Sequence, residues 1–210
     1  MENEKILVLS DTHDNLHALS TLFERNNLSE YNMIIHCGDY ISPFTFKKIY
    51  EQIQSNQNYL SVLGNNEGEI WKIYEDYIQV SKTKNVLLRK NGLKFSLNGY
   101  NSLILHGWGS IDETKSIIYA LGKSGDFKVI FYGHTHIPDL TLIYFDNSIE
   151  TFSLPSDKDS TYTVFLDEIK SVIINPGEFG GWLKGEYRYA EIKIEKEKNV
   201  FDIKFKSLNP

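Results

Sequence analysis

Two imidazoles stand one residue apart in Tyr132-Gly133-His134-Thr135-His136, directly after the apolar run Lys128-Val129-Ile130-Phe131. Such a run reads as a buried strand, and the glycine lets the backbone turn sharply where the strand ends. Paired histidines also occur in ordinary turns, so their meaning depends on the other strand ends. Four further predicted strands stop at groups able to bind a metal: Asp11 with His13, then Asp39, Asn65 and His106. With His134 and His136 these make two carboxylates, one amide and four imidazoles. An oxygen and nitrogen set without thiolate suits manganese, iron, zinc or nickel better than calcium or magnesium. Seven ligands are too many for one ion and suit two ions sharing a bridging carboxylate. Singly, each group has an ordinary reading: an Asp after a strand is an N-cap, an Asn after Gly a turn residue, a lone His a backbone partner. Their joint placement at strand ends is what favours a metal centre.

The elements that must position these groups follow a βαβ rhythm. Lys-Ile-Leu-Val-Leu-Ser (5–10), Met33 to Cys37 and Asn58 to Leu63 read as buried strands, each followed by a polar loop and a helical pattern. Leu16, Leu19, Leu22 and Phe23 repeat at helical spacing behind an Asp14 or Asn15 cap. Ser42-Pro43 opens a helix through about Gln54, and a helix with Trp71, Ile73 and Tyr74 follows the third strand. Val86–Arg89, Lys94–Leu97 and Ser102–Leu105 read as short strands in antiparallel hairpins, because Asn-Gly turns join them. Asp112 is the expected cap of a helix through about Lys123. From Leu140 onward the pattern is mostly β, with Tyr187–Glu195 and Val200–Ser207 as a terminal hairpin. The expectation is an α/β fold of two packed sheets with helices outside, in one domain spanning residues 1–210.

Composition narrows the function classes. At 210 residues and 41% hydrophobic, the chain can bury a full core. Its net charge of -6 gives no basic footprint, so nucleic acid is disfavoured as a partner. One cysteine, Cys37, excludes a disulfide framework and fits a reducing compartment. No apolar run suits a membrane span or a signal segment, so a cytoplasmic location is expected.

The motifs resemble a known family. Ser-Asp-Thr-His (10–13), Ile-His-Cys-Gly-Asp (35–39), Gly-Asn-Asn-Glu (64–67), His106-Gly107, Gly-His-Thr-His (133–136) and Ile-Asn-Pro-Gly-Glu (174–178) are similar to those of the calcineurin-like metallophosphoesterases. The match is closest to the small single-domain phosphodiesterases, the branch that includes the retromer subunit Vps29. This resemblance implies a four-layer αββα sandwich of two mixed sheets flanked by helices. It implies two divalent ions, manganese foremost, with nickel, iron or zinc as alternatives. Asp11, His13 and His136 would hold one ion, Asn65, His106 and His134 the other, and Asp39 would bridge them. A hydroxide between the ions would attack phosphorus in line, making the protein a phosphodiesterase for small phosphoesters. The alternatives are a nucleotide or protein phosphatase of the same fold, or a Vps29-like interaction scaffold; a homo-oligomer is left open.

Two positions depart from the wider superfamily, which often carries histidine where this chain has Asn66 and Trp108. Asn66 is the candidate catalytic residue, able to donate a hydrogen bond to a phosphoryl oxygen but not a proton. Its ordinary reading is an N-cap with Glu69 as capping-box partner. Without general-acid help, esters with good leaving groups should be preferred. His17 reads as a helix-surface residue with a smaller claim on function. His36 and Cys37 read as buried residues, Glu67 as an orienting neighbour of a ligand, and Asn175-Pro176-Gly177 as a structural turn. Residues 138–173 read as a β-rich excursion, polar from Asp146 to Ser160, that would cover the site or contact another subunit.

Overall fold

The computed structural model describes residues 4–208, apart from 153, 156 and 157. Strand β1 (Glu4–Leu9) shows how the layers arise from alternation. Ile6 and Val8 join an apolar cluster between the sheets, while Leu7 and Leu9 join one under the helices. Both faces of the strand are therefore covered, which is why its sequence is apolar throughout.

The first sheet runs β10–β13–β12–β1–β2–β3–β4. From its centre to one edge run β1, β2 (Met33–His36), β3 (Asn58–Val62) and β4 (Asn85–Arg89), all parallel. β12 (Arg188–Glu195) and β13 (Val200–Ser207) form the expected terminal hairpin, and β12 lies antiparallel beside β1. β10 (Ser160–Phe165) closes the edge against β13. The second sheet runs β5–β6–β7–β11–β8–β9. It comprises β5 (Leu93–Leu97), β6 (Tyr100–Ile104), β7 (Val129–Phe131), β8 (Asp139–Ile143), β9 (Ile149–Phe152) and β11 (Ser171–Asn175). β6, β7 and β11 are parallel, and the remaining pairs antiparallel, so both sheets are mixed.

Helices α1 (Leu16–Arg25), α2 (Pro43–Gln52) and α3 (Ile70–Val80) cover the first sheet through Leu19, Leu22, Phe46, Ile49 and Ile73. Helix α4 (Ile111–Ser124) covers the second through Ile118, which packs with Ile130 and Ile173. The architecture is the expected α/β sandwich of two mixed sheets between helical layers.

Several local expectations are corrected. β4 is no hairpin partner of β5: it pairs parallel to β3, and the chain then crosses to the other sheet. Helix α4 is capped by Ser110, whose hydroxyl accepts from the Glu113 N–H in a capping box, rather than by Asp112. Helix α2 stops at Gln52, and Ser42, its N-cap residue, gives its hydroxyl to Asp14 instead of to the helix. Asn15 is the cap of α1, accepting from the Ala18 N–H. The 138–173 segment spans outer edges of both sheets, β9 on one and β10 on the other, with part of its middle outside the described residues. Among the described residues no helix is long and apolar enough to cross a membrane.

Candidate metal centre

The carboxyl ends of β1, β2 and β3 meet those of β6 and β7 where the two sheets face each other. Backbone hydrogen bonds lace these ends together. Asp11 N–H donates to Gly38 O at 2.9 Å, His13 N–H to Asp39 O at 3.1 Å, and Gly133 N–H to His106 O at 3.0 Å. Two glycines are dictated by this closeness. A Cβ on Gly64 would strike Asp39, and one on Gly133 would strike Ser10 and Asp11. Five of the candidate ligands adopt left-handed backbone, with φ of 52° at Asp11, 44° at His13, 61° at Asp39, 67° at His134 and 58° at His136. Such strain is held only where the surroundings over-determine it.

All seven candidate side chains come together. Donor atoms of Asp11, His13, Asp39 and His136 lie within 4.8 Å of one another. His136 Nε2 stands 3.4 Å from Asp11 Oδ1 and 3.4 Å from His13 Nε2. On the other side, Asn65 Oδ1 meets His106 Nε2 at 2.9 Å and His134 Nδ1 at 2.7 Å. Asp39 faces both groups, with Oδ2 at 3.7 Å from His13 Nε2 and Oδ1 at 3.3 Å from His106 Nε2.

The donor set fits cations. His106 Nδ1 lies 2.7 Å from Cys37 O, an acceptor only, so a neutral ring carries its proton there. Its Nε2 lone pair then points at the oxygens of Asn65 and Asp39, an arrangement that calls for a positive charge between them. In the protein alone a proton supplies it: burial opposes protonation, but Asp39 and Asp11 outweigh burial and push His106 up to about 9. His134 meets oxygen at both nitrogens, Asn65 Oδ1 and, at 2.8 Å, Gly109 O, although a neutral imidazole has one N–H to give.

Burial raises the Asp11 carboxyl above its usual range, against the pull of His106 and His136. Asp39 goes the other way: burial is outweighed by its bond to His106 and by two donations from Asn66. Asn66 N–H reaches Asp39 Oδ1 at 2.8 Å, and Asn66 Nδ2 reaches Oδ2 at 2.8 Å. The helix-cap reading of Asn66 is thereby corrected, since α3 begins only at Ile70 with Glu69 as its N-cap.

Supporting groups surround this cluster. Glu67 accepts the N–H groups of Asp39, Tyr40, Ile41 and Gly64 at 2.8–3.0 Å, tying the loops after β2 and β3 together. His36 is fully buried, and burial holds its pKa down to about 3, so the ring is neutral. Its Nδ1 accepts from Gly38 N–H, leaving Nε2 to donate to Thr12 Oγ1 at 3.1 Å. Cys37 is buried and reduced. Asn175 donates to Gly133 O and Thr135 Oγ1, each at 3.0 Å, so the turn steadies the His134 loop. His17 is exposed on α1 and takes no part in these contacts.

Comparison with known proteins gives this arrangement its family. Residues 5–197 match the calcineurin-like phosphoesterase superfamily domain. The chain belongs to that superfamily. This calcineurin-like phosphoesterase is 28% identical over 193 residues to a phosphodiesterase of Methanocaldococcus jannaschii, covering 92% of this chain and 95% of that protein. A solved structure described as a novel archaeal phosphodiesterase superposes with a TM-score of 0.67 at 26% identity, covering 97% and 99% of the two chains. Chaetomium thermophilum Vps29 shares the fold, with a TM-score of 0.57 at 12% identity and coverage of 98% and 97%. The expected likeness to small phosphodiesterases stands, with Vps29 sharing the fold, and with it the enzyme class of phosphoester hydrolases.

Two residues of this phosphoesterase escaped sequence reasoning. Glu178 is fully buried, and its Oε2 lies 3.4 Å from His136 Nδ1, which has no other polar partner among the described residues. The same carboxylate accepts the N–H groups of Trp182, Leu183 and Lys184. Burial would raise it, but His136 and these amides hold Glu178 below the usual carboxylate range. Trp182 in turn tilts over the His13 ring at 4.9 Å between centroids. Glu178 closes the Ile-Asn-Pro-Gly-Glu motif (174–178), but the motif gave it no role, and nothing in the sequence pointed to Trp182.

Proposed function

We propose that this phosphoesterase is a binuclear, metal-dependent phosphodiesterase acting on small esters, in a single domain spanning the chain. Asp39 carries the reading, because one carboxylate oxygen faces His13 while the other faces His106. Asp11, His13 and His136 would hold one ion, Asn65, His106 and His134 the second, and Asp39 both. Manganese is the leading candidate, with nickel, iron and zinc also suited to this oxygen and nitrogen set. When bound, the ions acidify a water for in-line attack on phosphorus and neutralise charge on the phosphoryl oxygens.

The chain's own part is to hold the donors ready. Cys37 O fixes the His106 tautomer, Glu178 braces His136, and Asn66 pins both oxygens of Asp39. A bound ion would compete with the Asn66 amide for Asp39 Oδ2, and the freed amide can then turn to a phosphoryl oxygen. A scaffold role of the Vps29 kind gains nothing from this site, where all seven donors are in place. Elemental analysis of the purified protein should find up to two ions per chain. Asp39→Asn should lose bound metal and the hydrolysis of bis(nitrophenyl) phosphate together; normal turnover by that variant would overturn the reading.

A further inference from the structure

Trp108 occupies a position where an imidazole was missing, and the structure shows what it does there. A cleft of about 380 Å³ opens beside the proposed metal centre, lined by Leu63, Asn65, Lys90, Asn91, His106 and Trp108 among others. Its inner wall is thus made of two of the residues placed at the centre, and its outer wall is the indole. Trp108 is 46% exposed, although large apolar rings are ordinarily covered. The exposure does not come from a loose segment. The Trp108 N–H and carbonyl both bond to the Thr114 hydroxyl, at 3.1 and 2.7 Å. Gly107, at φ of 120°, sits so tightly that a Cβ would meet His134 and Thr114 at 2.9 Å. The backbone that carries the indole is therefore anchored at a cleft shared with Asn65 and His106.

The polar groups in the cleft are few and mixed. Lys90 brings an ammonium with no ion pair among the described residues, and Asn91 brings an amide that both donates and accepts. One cation is a poor holder for a second phosphate, which needs several donors. A flat heterocycle uses all three groups: its face stacks on indole, and its edge presents acceptors and donors to Lys90 and Asn91. The volume lies within the range of small-molecule sites, which combine apolar walls with a few placed polar groups.

We propose that this cleft receives the arm of the diester that stays on phosphorus, and that this arm is a nucleoside whose base stacks on Trp108. The assignment rests on the phosphodiesterase reading and deepens it. Two diesters with the same leaving group isolate the arm: the nitrophenyl ester of thymidine 5′-phosphate and ethyl nitrophenyl phosphate. The wild type should show a kcat/KM ratio of roughly tenfold or more in favour of the nucleoside ester, the scale of base stacking on an aromatic residue. Trp108→Ala should bring that ratio to within about twofold of one, while Trp108→Phe, which keeps a stacking face, should retain most of it. Metal content of the variants, measured alongside, separates loss of the indole from disturbance of His106 and His134.

A wild-type ratio near one with brisk turnover of both esters overturns the cleft assignment and leaves the phosphodiesterase reading standing. Absence of turnover on both esters with metal bound overturns that reading instead. In that case calorimetric titration of the metal-loaded protein decides the cleft. Thymidine 5′-phosphate should bind more tightly than ribose 5-phosphate in a Trp108-dependent manner, and equal binding overturns the proposal.

Discussion

At Glu178 one carboxylate serves two masters, the His136 ring and the backbone of 182–184. Partners that orient a metal-binding imidazole typically contribute about 10–100-fold in metal affinity. Glu178→Gln keeps the shape and gives up the charge facing His136, so equilibrium dialysis should show metal affinity down by about that factor. Its melting temperature should fall as well, because either placement of the Gln amide nitrogen faces a backbone N–H of 182–184, so the metal affinity is compared at a temperature where both proteins are folded. A second expectation follows from Asn66 and Trp108, neither of which can give a proton to a departing alkoxide. General-acid help is typically worth about 10²–10⁴-fold, so nitrophenyl diesters should outpace alkyl diesters by at least that margin beyond their intrinsic difference. Comparable rates on the two ester types would show an unrecognised proton donor. The residue identities at the centre were legible, because Asp, His and Asn stood at predicted strand ends. The left-handed backbone at five of them was not, since it is imposed by neighbouring loops and leaves no trace in residue type beyond the adjacent glycines.

Among the elements, β12 and β13 are tied to the segment before β2 by a polar knot as well as by packing. The Tyr31 hydroxyl donates to Glu191 Oε1 of β12 at 2.6 Å, and Lys206 Nζ of β13 reaches the same oxygen at 3.1 Å. Tyr31→Phe should cost about 2 kcal/mol in denaturant unfolding, the scale of a buried hydrogen bond to a charged group. Burial works against the ionised Glu191, but Tyr31 and Lys206 outweigh it and hold the group below its ordinary range. A carboxylate depressed in the folded state contributes stability above its unfolded pKa and loses it as pH falls through the folded value. Melting curves should therefore show a steeper acid-side loss for the wild type than for Glu191→Gln. The β4 strand shows where element reading ran out. Its residues alternate exposed and buried, and Asn91-Gly92 follows, as in an ordinary hairpin. Turn chemistry fixes a reversal but not which sheet receives the next strand, and here the chain changes sheets. The sequence left Asn66 open between cap and site residue, because Asn66 and Glu69 have the spacing of a capping box; in the fold the Asn66 backbone N–H, which Glu69 would accept in such a box, goes to Asp39 instead.

For the molecule as a whole, net charge is -6, and the cleft and centre are nonetheless arranged for an anionic ester. On the proposed reading, local charge would govern binding there, through the cations held at the centre and Lys90 beside it. Because donors come from both sheets, bound ions would tie one sheet to the other, and native-state binding raises stability by mass action. Chelation should lower the melting temperature, and re-addition of manganese should restore it in a concentration-dependent way. Insensitivity of melting to chelator would count against metals spanning the two sheets. The layer order was readable from apolar runs, whereas the paths of 138–173 along both sheet edges depend on contacts that no local pattern encodes.

The position of β1 between β2 and β12 carries a consequence for how a ribosome must make this protein. Strand β1 keeps one bare hydrogen-bonding edge until β12 is made, and the carbonyls of Ser10 and Asp11 cannot receive the N–H groups of Phe179 and Gly180 before those residues exist. Nascent chains should thus stay protease-sensitive and metal-free until β12 clears the exit tunnel, making the β12–β13 hairpin the latch of a centre whose earliest residue, Asp11, was synthesised long before it.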